Sequence, residues 1–311
     1  MLQTKNTKIK VVGVGGSGGN AVSRMAKCKL KGVELIAINA DAQDLKRARA
    51  DKKIRIGIKL TNGLGTGMDP EIGKLAAEEQ REEIKEALKG ADLVFITCGL
   101  GGGCGSGASP VIADISKKMG ILTIAVVTTP FSFEGLKRAE VAQSAKRKLK
   151  EKVDALIAIS NDKLLSILEP ETTISNAFWI CDEILREAVQ GISDLIVLPG
   201  IINIDFADVK AIVKSSGTAL FGIGKAKGEG RAERAVKLAL SCPLLDISCK
   251  GAKGILFNVS GGKDISLAEV DEIAKMITRE VSPEAKIVFG AIQDEKLKKG
   301  EIKVTVIATG F

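Results

Sequence analysis

Apolar and polar positions alternate along the first half of the chain in the order expected of strands that each lead into a helix. Short apolar runs are typical of buried strands, and the stretches after them carry apolar residues at helical spacing. The runs that predict strands are 9–14, 33–39, 92–97, 122–128 and 155–160, and the helical stretches are 20–29, 71–88, from about 105, and 136–149. This order predicts a parallel sheet with helices on both faces.

A different pattern begins at Ile174, where one long helical stretch runs to about Leu198 and ends at Pro199-Gly200. Proline and glycine together end a helix. After it we predict helices from about 205, at 231–240 and at 267–278, and strands at 219–223, 254–259, 287–291 and 304–308. The fold class is therefore α/β, with a Rossmann-like parallel-sheet domain joined by a long central helix to a smaller α+β domain.

The composition excludes several kinds of active site. The 311 residues include no histidine and no tyrosine, and aromatic residues make up 3% of the chain. A Ser-His-Asp triad and a histidine-ligated metal are ruled out, and stacking platforms for single-stranded nucleic acid are not expected. The net charge is +8, from 46 basic and 38 acidic residues, but the lysines are dispersed, which favours a solvated surface over a nucleic-acid partner.

The cysteines and the apolar runs indicate where the protein works. Six cysteines are present without a Cys-x-x-Cys pair, Met1 leads into a polar segment, and no uninterrupted apolar run approaches about 20 residues. We expect reduced thiols, no signal peptide, no membrane insertion and a cytoplasmic protein.

The first glycine-rich segment, 13–20, directly follows a predicted strand. Glycines let backbone N–H groups approach an anion, and the helix after them adds a partial positive charge. The spacing also matches the dinucleotide fingerprint G-x-G-x-x-G, with Asp41 near the position of the ribose-binding acid. An NAD-dependent oxidoreductase is therefore one hypothesis.

A second glycine-rich segment, 99–108, also lies between a strand and a helix, and a third, 63–70, precedes the charged stretch at 71–88. The second lacks the Gly-Lys-Ser/Thr ending of a Walker A loop. Two anion-binding loops at two strand ends suit a triphosphate better than a dinucleotide. The third has the same chemistry, although a surface turn explains it equally well.

Two acids, Asp205 and Asp208, follow the Pro199-Gly200 break at a spacing of three residues. At a helix start they point the same way, where paired carboxylates can orient a water or help to hold a cation. The alternative is an N-cap with an acid in the first helical turn.

With these motifs, the chain resembles the FtsZ proteins of the tubulin/FtsZ family, which are the prokaryotic cell-division GTPases. The resemblance extends from Lys8 to Phe311. The most specific match is the signature loop at 101–107. Further matches are 131–135 with Arg138, 160–165 and 203–209. The resemblance implies a tubulin/FtsZ-like fold with a GTP-binding domain at 1–173, a central helix at 174–200 and a C-terminal α+β domain at 201–311 that begins with the catalytic loop.

The resemblance also implies a nucleotide site for GTP or GDP. Its phosphate-binding residues would be Gly15, Gly16, Ser17, Gly18, Gly19, Asn20, Gly101, Gly102, Gly103, Cys104, Gly105, Ser106 and Gly107. Thr66 and Gly67 would lie near the γ-phosphate, and Asn39 would line the pocket. Glu134 and Arg138 would reach the ribose, Phe178 would stack on guanine, and Asn161 and Asp182 would read the base edge. Two N–H groups of guanine fit one carboxylate, so Asp182 would favour guanine over adenine.

Catalysis in this family is completed by a neighbouring subunit, which implies that Asn203, Asp205 and Asp208 enter the next pocket. Head-to-tail filaments that hydrolyse GTP with Mg²⁺ would then form the cell-division ring. The residues that would hold the metal are not identified by the sequence. A filament protein for DNA segregation or cell shape is the alternative within the same superfamily. The family's C-terminal tail, which binds membrane-adaptor division proteins, is absent from this chain, and we expect localisation in the cytoplasm at the division site.

This sequence departs from the family pattern at several positions. Cys104 and Ser106 replace the usual residues of the signature loop, and a thiol is a poorer hydrogen-bond donor than a hydroxyl. Asn62-Gly63 and Met68-Asp69 are also unusual, and a carboxylate at 69 is expected to be unfavourable beside a γ-phosphate unless a cation intervenes.

Overall fold

The computed structural model describes residues 7–28, 30, 32–165, 168–169, 171–198, 200–240, 249–294 and 297–311. The chain divides into two compact units, Met1–Gln190 and Gly191–Phe311. Pro199 and Cys242 lie outside the described residues. The domain boundaries suggested by the sequence, at 173 and 200, stay a prediction.

The first unit contains a parallel sheet in the order β3-β2-β1-β4-β5-β6. Its strands are β1 (Ile9–Val14), β2 (Val33–Asn39), β3 (Lys52–Arg55), β4 (Leu93–Gly99), β5 (Leu122–Thr129) and β6 (Ala155–Ser160). Every residue of β1 is buried, as expected of a strand covered on both faces. Even Lys10 is buried there, where its Nζ donates to the Ala87 carbonyl at 2.7 Å and pairs with Glu34.

Helices cover this sheet. They are α1 (Gly15–Lys27), α2 (Ala42–Arg47), α3 (Ile58–Thr61), α4 (Pro70–Glu79), α5 (Arg81–Leu88), α6 (Gly103–Lys118), α7 (Leu136–Lys152) and α8 (Asn161–Leu165), with a short 3₁₀ turn at Ser132–Glu134. Helix α9 (Ile174–Val197) begins in this unit and ends after its last residue, Gln190. The strand order reverses between β1 and β4. In sheets of this kind, ligands bind in the crevice at the carboxyl ends of the strands where the order reverses.

The second unit is a mixed sheet in the order β7-β10-β8-β9 with helices beside it. Strand β10 is antiparallel to β7 and β8, whereas β8 and β9 are parallel. The elements are α10 (Phe206–Val213), β7 (Gly217–Lys227), α11 (Arg231–Leu240), β8 (Gly254–Gly261), α12 (Leu267–Glu280), β9 (Lys286–Gln293) and β10 (Glu301–Thr309). Glycines at 222 and 224 of β7 let α11 lie directly on the strand, because a Cβ at either would collide with a helix carbonyl.

The structure confirms the predicted fold class and corrects local details. The predicted helical stretch 71–88 is two helices, α4 and α5, separated at Gln80. The Gln80 side chain accepts a hydrogen bond from the Gly57 N–H at this break. Leu75, an apolar residue of this stretch, is 53% exposed. Helices α1 and α6 begin at Gly15 and Gly103, so part of each glycine segment forms the first helical turn. Pattern reading missed β3, α2 and α3. Among the described residues, no helix is long and apolar enough to cross a membrane.

Candidate functional site

A pocket of about 640 Å³ opens in the first unit, where β1, β4 and β5 end. All three predicted glycine segments contribute to its wall, and residues of α9 form another part of it. The pocket therefore lies in the crevice that the strand order predicts.

The first glycine segment forms a helix N-terminus that faces this pocket. Gly15 has φ +71°, a conformation that favours glycine, and the N-cap residue Val14 makes no side-chain cap. The first turn of α1 also contains no acid. Its backbone N–H groups are thus available to an anion. Of the six residues predicted here, Gly15, Gly16, Ser17 and Asn20 line the pocket.

Gly18 and Gly19 do not line the pocket, and Gly18 has a packing role. A Cβ on Gly18 would lie 2.8 Å from the carbonyl carbon of Gly13 and would collide with the Thr97 carbonyl of β4. The glycine therefore lets α1 lie close to the sheet.

The second segment repeats the arrangement at the start of α6. Gly102 is an N-cap without a side-chain cap, the first turn contains no acid, and Gly102, Gly103, Cys104 and Gly105 line the pocket. The other three predicted residues, Gly101, Ser106 and Gly107, do not line the pocket. The Ser106 Oγ accepts a hydrogen bond from the Gly101 N–H at 2.9 Å, which fixes the loop.

The third loop packs against the second one. Thr66 and Gly67 both line the pocket, with Leu64, Gly65 and Met68 beside them. Gly67 and Met68 have φ values of +54° and +65°.

The carboxylate of Asp69 does not face the pocket, contrary to the concern raised by the sequence. It caps α4 and accepts a hydrogen bond from the Glu71 N–H at 2.8 Å. This acid therefore stabilises the helix that follows the loop.

Polar side chains of the pocket are held in place by defined contacts. The Glu134 carboxylate accepts a hydrogen bond from the Phe131 N–H at 2.9 Å and pairs with Arg138 at 2.8 Å. Asn39 donates to Asp44 at 2.8 Å. Asn161 is buried, and its Oδ1 has no hydrogen-bond partner. A buried acceptor of this kind is costly unless a ligand supplies a donor.

Helix α9 brings an aromatic ring and a carboxylate to the pocket. Phe178 makes an edge contact with Phe131, with 5.4 Å between ring centroids, and leaves 40% of its surface exposed. One turn later, Asp182 is buried and lies 3.4 Å from the Arg24 guanidinium. Burial raises the pKa of Asp182 to about 6, while Arg24 acts in the opposite direction.

Two thiols line the pocket, and burial makes both poor nucleophiles. Burial raises the pKa of Cys104 to about 11 and that of Cys181 to about 12. At neutral pH both remain thiols. Among the described residues, no group of three or more cysteine, aspartate or glutamate side chains could hold a metal by itself.

Sequence reasoning missed several residues of the wall. They are Asp44, Thr128, Pro130 and Cys181. Thr128 stands near the carboxyl end of β5, so the strand-end rule alone would have found it. Asp44 is five residues after β2 and carries no motif, and only the fold of the α2 turn brings it close to Gly16.

The three predicted catalytic residues lie in the second unit. Asp205 occupies the N-cap position of α10 and is exposed, yet its side chain makes no capping hydrogen bond. Asp208 is in the first turn of the same helix. The Asn203 Oδ1 accepts a hydrogen bond from the Gly200 N–H at 2.7 Å. The simple capping explanation for Asp205 is therefore not supported.

Comparison with known proteins gives two family matches. The model of the GTPase domain of the tubulin/FtsZ family matches residues 8–169, and the model of the FtsZ C-terminal domain matches residues 217–311. An FtsZ dimer of M. jannaschii, in the empty state, is 47% identical, with a TM-score of 0.94 over 99% of this chain and 90% of that one.

More distant structures share the fold. CetZ2 from Haloferax volcanii, in a GTPγS-bound protofilament, has a TM-score of 0.80 at 22% identity, over 97% of this chain and 92% of that one. CetZ1 from the same organism, a GDP-bound monomer, has a TM-score of 0.84 at 20% identity, over 98% of this chain and 94% of that one. Across both units, the matches show that the chain belongs to the tubulin/FtsZ family and contains its GTPase domain.

Proposed function

We propose that this chain binds GTP in the glycine-lined pocket, assembles head to tail into filaments and hydrolyses GTP where two subunits meet. The observation that supports the nucleotide site best is the meeting of three glycine-rich loops, two of them at uncapped helix N-termini, in one pocket. Phosphates bind where such N–H groups converge. The same pocket contains Phe178, Asp182 and the unpartnered Oδ1 of Asn161, which together suit a guanine base.

The side chains that line the pocket are mainly acidic, which suits a nucleotide that binds together with Mg²⁺. The lining includes four acids, Asp41, Asp44, Glu134 and Asp182, against one cation, Arg138. Triphosphate oxygens add further negative charge, which a divalent ion neutralises when bound. Mg²⁺ is usually held by one or two carboxylates together with phosphates and water. Asp44 is one acid beside the first glycine segment, since its Oδ2 lies 3.1 Å from the position of a Cβ on Gly16.

Exposed apolar residues support filament contacts on each unit. Leu64 at 87% exposure and Met68 are at the pocket, and Phe133 and Leu136 flank the pocket residue Glu134. In the second unit, Ile201 and Ile202 precede Asn203, and Ile202 pairs with Ala291 of β9, where Ile287 and Phe289 are also exposed. Apolar patches of this kind mark interaction surfaces.

Asn203, Asp205 and Asp208 would complete the pocket of the next subunit by orienting the attacking water. A contact between two different surfaces repeats without closing, so a filament follows. Phosphoryl transfer requires mainly positioning and charge stabilisation, which such a composite site can supply. The filaments would form the cell-division ring in the cytoplasm, with membrane-adaptor division proteins as further partners.

The test is the rate of GTP hydrolysis per molecule as protein concentration rises, in the presence of Mg²⁺. A site assembled between subunits gives almost no turnover at low concentration, then a rise to a plateau. Asp208→Ala should retain GTP binding and lose turnover by about 100-fold or more. Glu272→Ala, which removes an exposed acid from α12 of the same unit, is the matched control and should behave as the wild type. A rate that is finite and independent of concentration would mean a self-contained site and would exclude the proposed role of Asp205 and Asp208.

A further inference from the structure

The carboxylate of Asp182 is held from behind by a residue that is not part of the pocket wall. Arg24, on α1, places both its Nε and one terminal nitrogen 3.4 Å from the Asp182 Oδ2. Asp182 lines the pocket, whereas Arg24 does not. The arginine thus uses one carboxylate oxygen, and because a carboxylate has about four acceptor sites, two remain for N–H groups of a ligand.

A tryptophan fixes the position of this arginine. The Arg24 guanidinium carbon lies 5.2 Å from the centroid of the Trp179 ring. Trp179 precedes Asp182 by three residues on α9, so the two side chains are neighbours on the helix surface. The ring is 49% exposed, so filling the core does not explain it. A stacked guanidinium is restrained in plane and distance.

The contact with Arg24 favours the charged form of Asp182. Burial disfavours its ionised form, and Arg24 is the group that opposes the effect. Among the described residues, Arg24 is the only cation that favours the ionised form of Asp182. Cys181 remains protonated, and the Glu134 carboxylate is neutralised by Arg138. Only an ionised carboxylate can accept both the N1–H and the exocyclic N–H of guanine.

We propose that Arg24, stacked on Trp179, is a positioning residue that keeps Asp182 charged and oriented, and so sets the preference of the pocket for guanine over hypoxanthine. This inference rests on the proposed function, since it assumes that the base lies at Asp182. Hypoxanthine lacks the exocyclic amino group and forms one of the two bonds. The arginine therefore acts on base selection and not on the phosphates.

The experiment compares the dissociation constants of GTP and ITP by calorimetry. The wild type should prefer GTP by about tenfold or more, as expected for one hydrogen bond to a charged group. In Arg24→Gln this preference should fall to about threefold or less, while Arg24→Lys, which retains the charge without the planar stack, should recover part of it. Trp179→Ala should reduce the preference about two- to fivefold through loss of the stack. Arg147→Gln, an exposed arginine on α7, is the matched control.

Each result has one meaning. Equal loss of GTP and ITP affinity in Arg24→Gln would show a merely structural arginine and would overturn the inference. If Arg24→Gln does not fold, Trp179→Ala decides, because its half-exposed side chain is dispensable to the core. Trp179 is the only tryptophan of the chain, so its emission also reports binding. A wild type that binds neither nucleotide, with unchanged emission, would contradict the proposed function itself.

Discussion

Glycines of the signature loop that are neighbours in sequence have different physical roles. A Cβ on Gly102, at the pocket, would meet nothing within 4 Å. A Cβ on Gly107, one turn into α6, would lie 2.7 Å from the Lys74 N and would collide with the Pro70 carbonyl. Gly107 therefore lets α4 and α6 lie against each other, while Gly102 leaves room in front of the loop.

These two glycines give a matched pair of substitutions. Gly107→Ala should destabilise the protein by about 1 to 3 kcal/mol, because two helix backbones must separate. Gly102→Ala should leave the free energy of unfolding within about 0.5 kcal/mol of the wild type and weaken nucleotide binding instead. Urea unfolding and GTP calorimetry separate the two effects. Equal free energies of unfolding for the two variants would contradict the prediction, because they would mean that α4 and α6 can move apart at little cost.

At the scale of elements, one arginine links two helices of the second unit. Arg231, at the start of α11, pairs with Asp264 at 2.7 Å and with Glu269 of α12 at 2.5 Å. Glu269 also closes a capping box, accepting a hydrogen bond from the Ser266 N–H at 2.9 Å. The hydrogen bonds from Arg231 lower the pKa of Glu269 from 4.5 to about 2. The position of α12 thus depends on an ionised carboxylate.

This contact predicts a dependence of stability on pH. A lowered pKa means that Glu269 contributes fully above about pH 4.5, and that its contribution is lost as the pH falls towards about 2. Glu269→Gln retains the capping acceptor but not the charge, and should cost about 1 to 2 kcal/mol at pH 7. The difference from the wild type, measured by urea unfolding, should shrink as the pH falls below about 4.5. Glu272→Gln on the same helix is the control, and a pH-independent difference would show that charge is not involved.

At the scale of the whole molecule, the proposed nucleotide pocket and the proposed catalytic residues belong to different units. The pocket belongs to Met1–Gln190, and the loop with Asp205 and Asp208 belongs to Gly191–Phe311. If the active site forms between subunits, each molecule donates a pocket to one neighbour and a loop to the other. Two variants with different defects should then complement each other.

Complementation is tested by mixing two variants. Asp182→Asn weakens nucleotide binding in the pocket, and Asp208→Ala removes the loop carboxylate. Each alone should be nearly inactive. An equal mixture should recover about a quarter of the wild-type GTPase rate, because about a quarter of random interfaces pair an intact pocket with an intact loop. Phosphate release measures the rate, and sedimentation shows whether mixed filaments form. Mixed filaments without any recovered activity would contradict a site shared between subunits.

The sequence by itself determined the fold class, the order of most strands and helices, and the three glycine segments. These features are local, because strand burial, helical spacing and glycine content are each read within a few residues. The resemblance of the motifs added the family, which the comparisons confirm. The predicted catalytic role of Asn203, Asp205 and Asp208 stays a prediction.

Only the tertiary structure decided which residues of each segment face the pocket and which pack behind it. Gly18 and Gly107 look like their neighbours in the sequence, and only the approach of Thr97 and Pro70 from distant elements gives them packing roles. The same holds for Arg24 and Asp182, which are 158 residues apart and meet because α1 and α9 flank one pocket. Contacts of this kind depend on how the elements pack in space, which a local pattern of side chains does not encode.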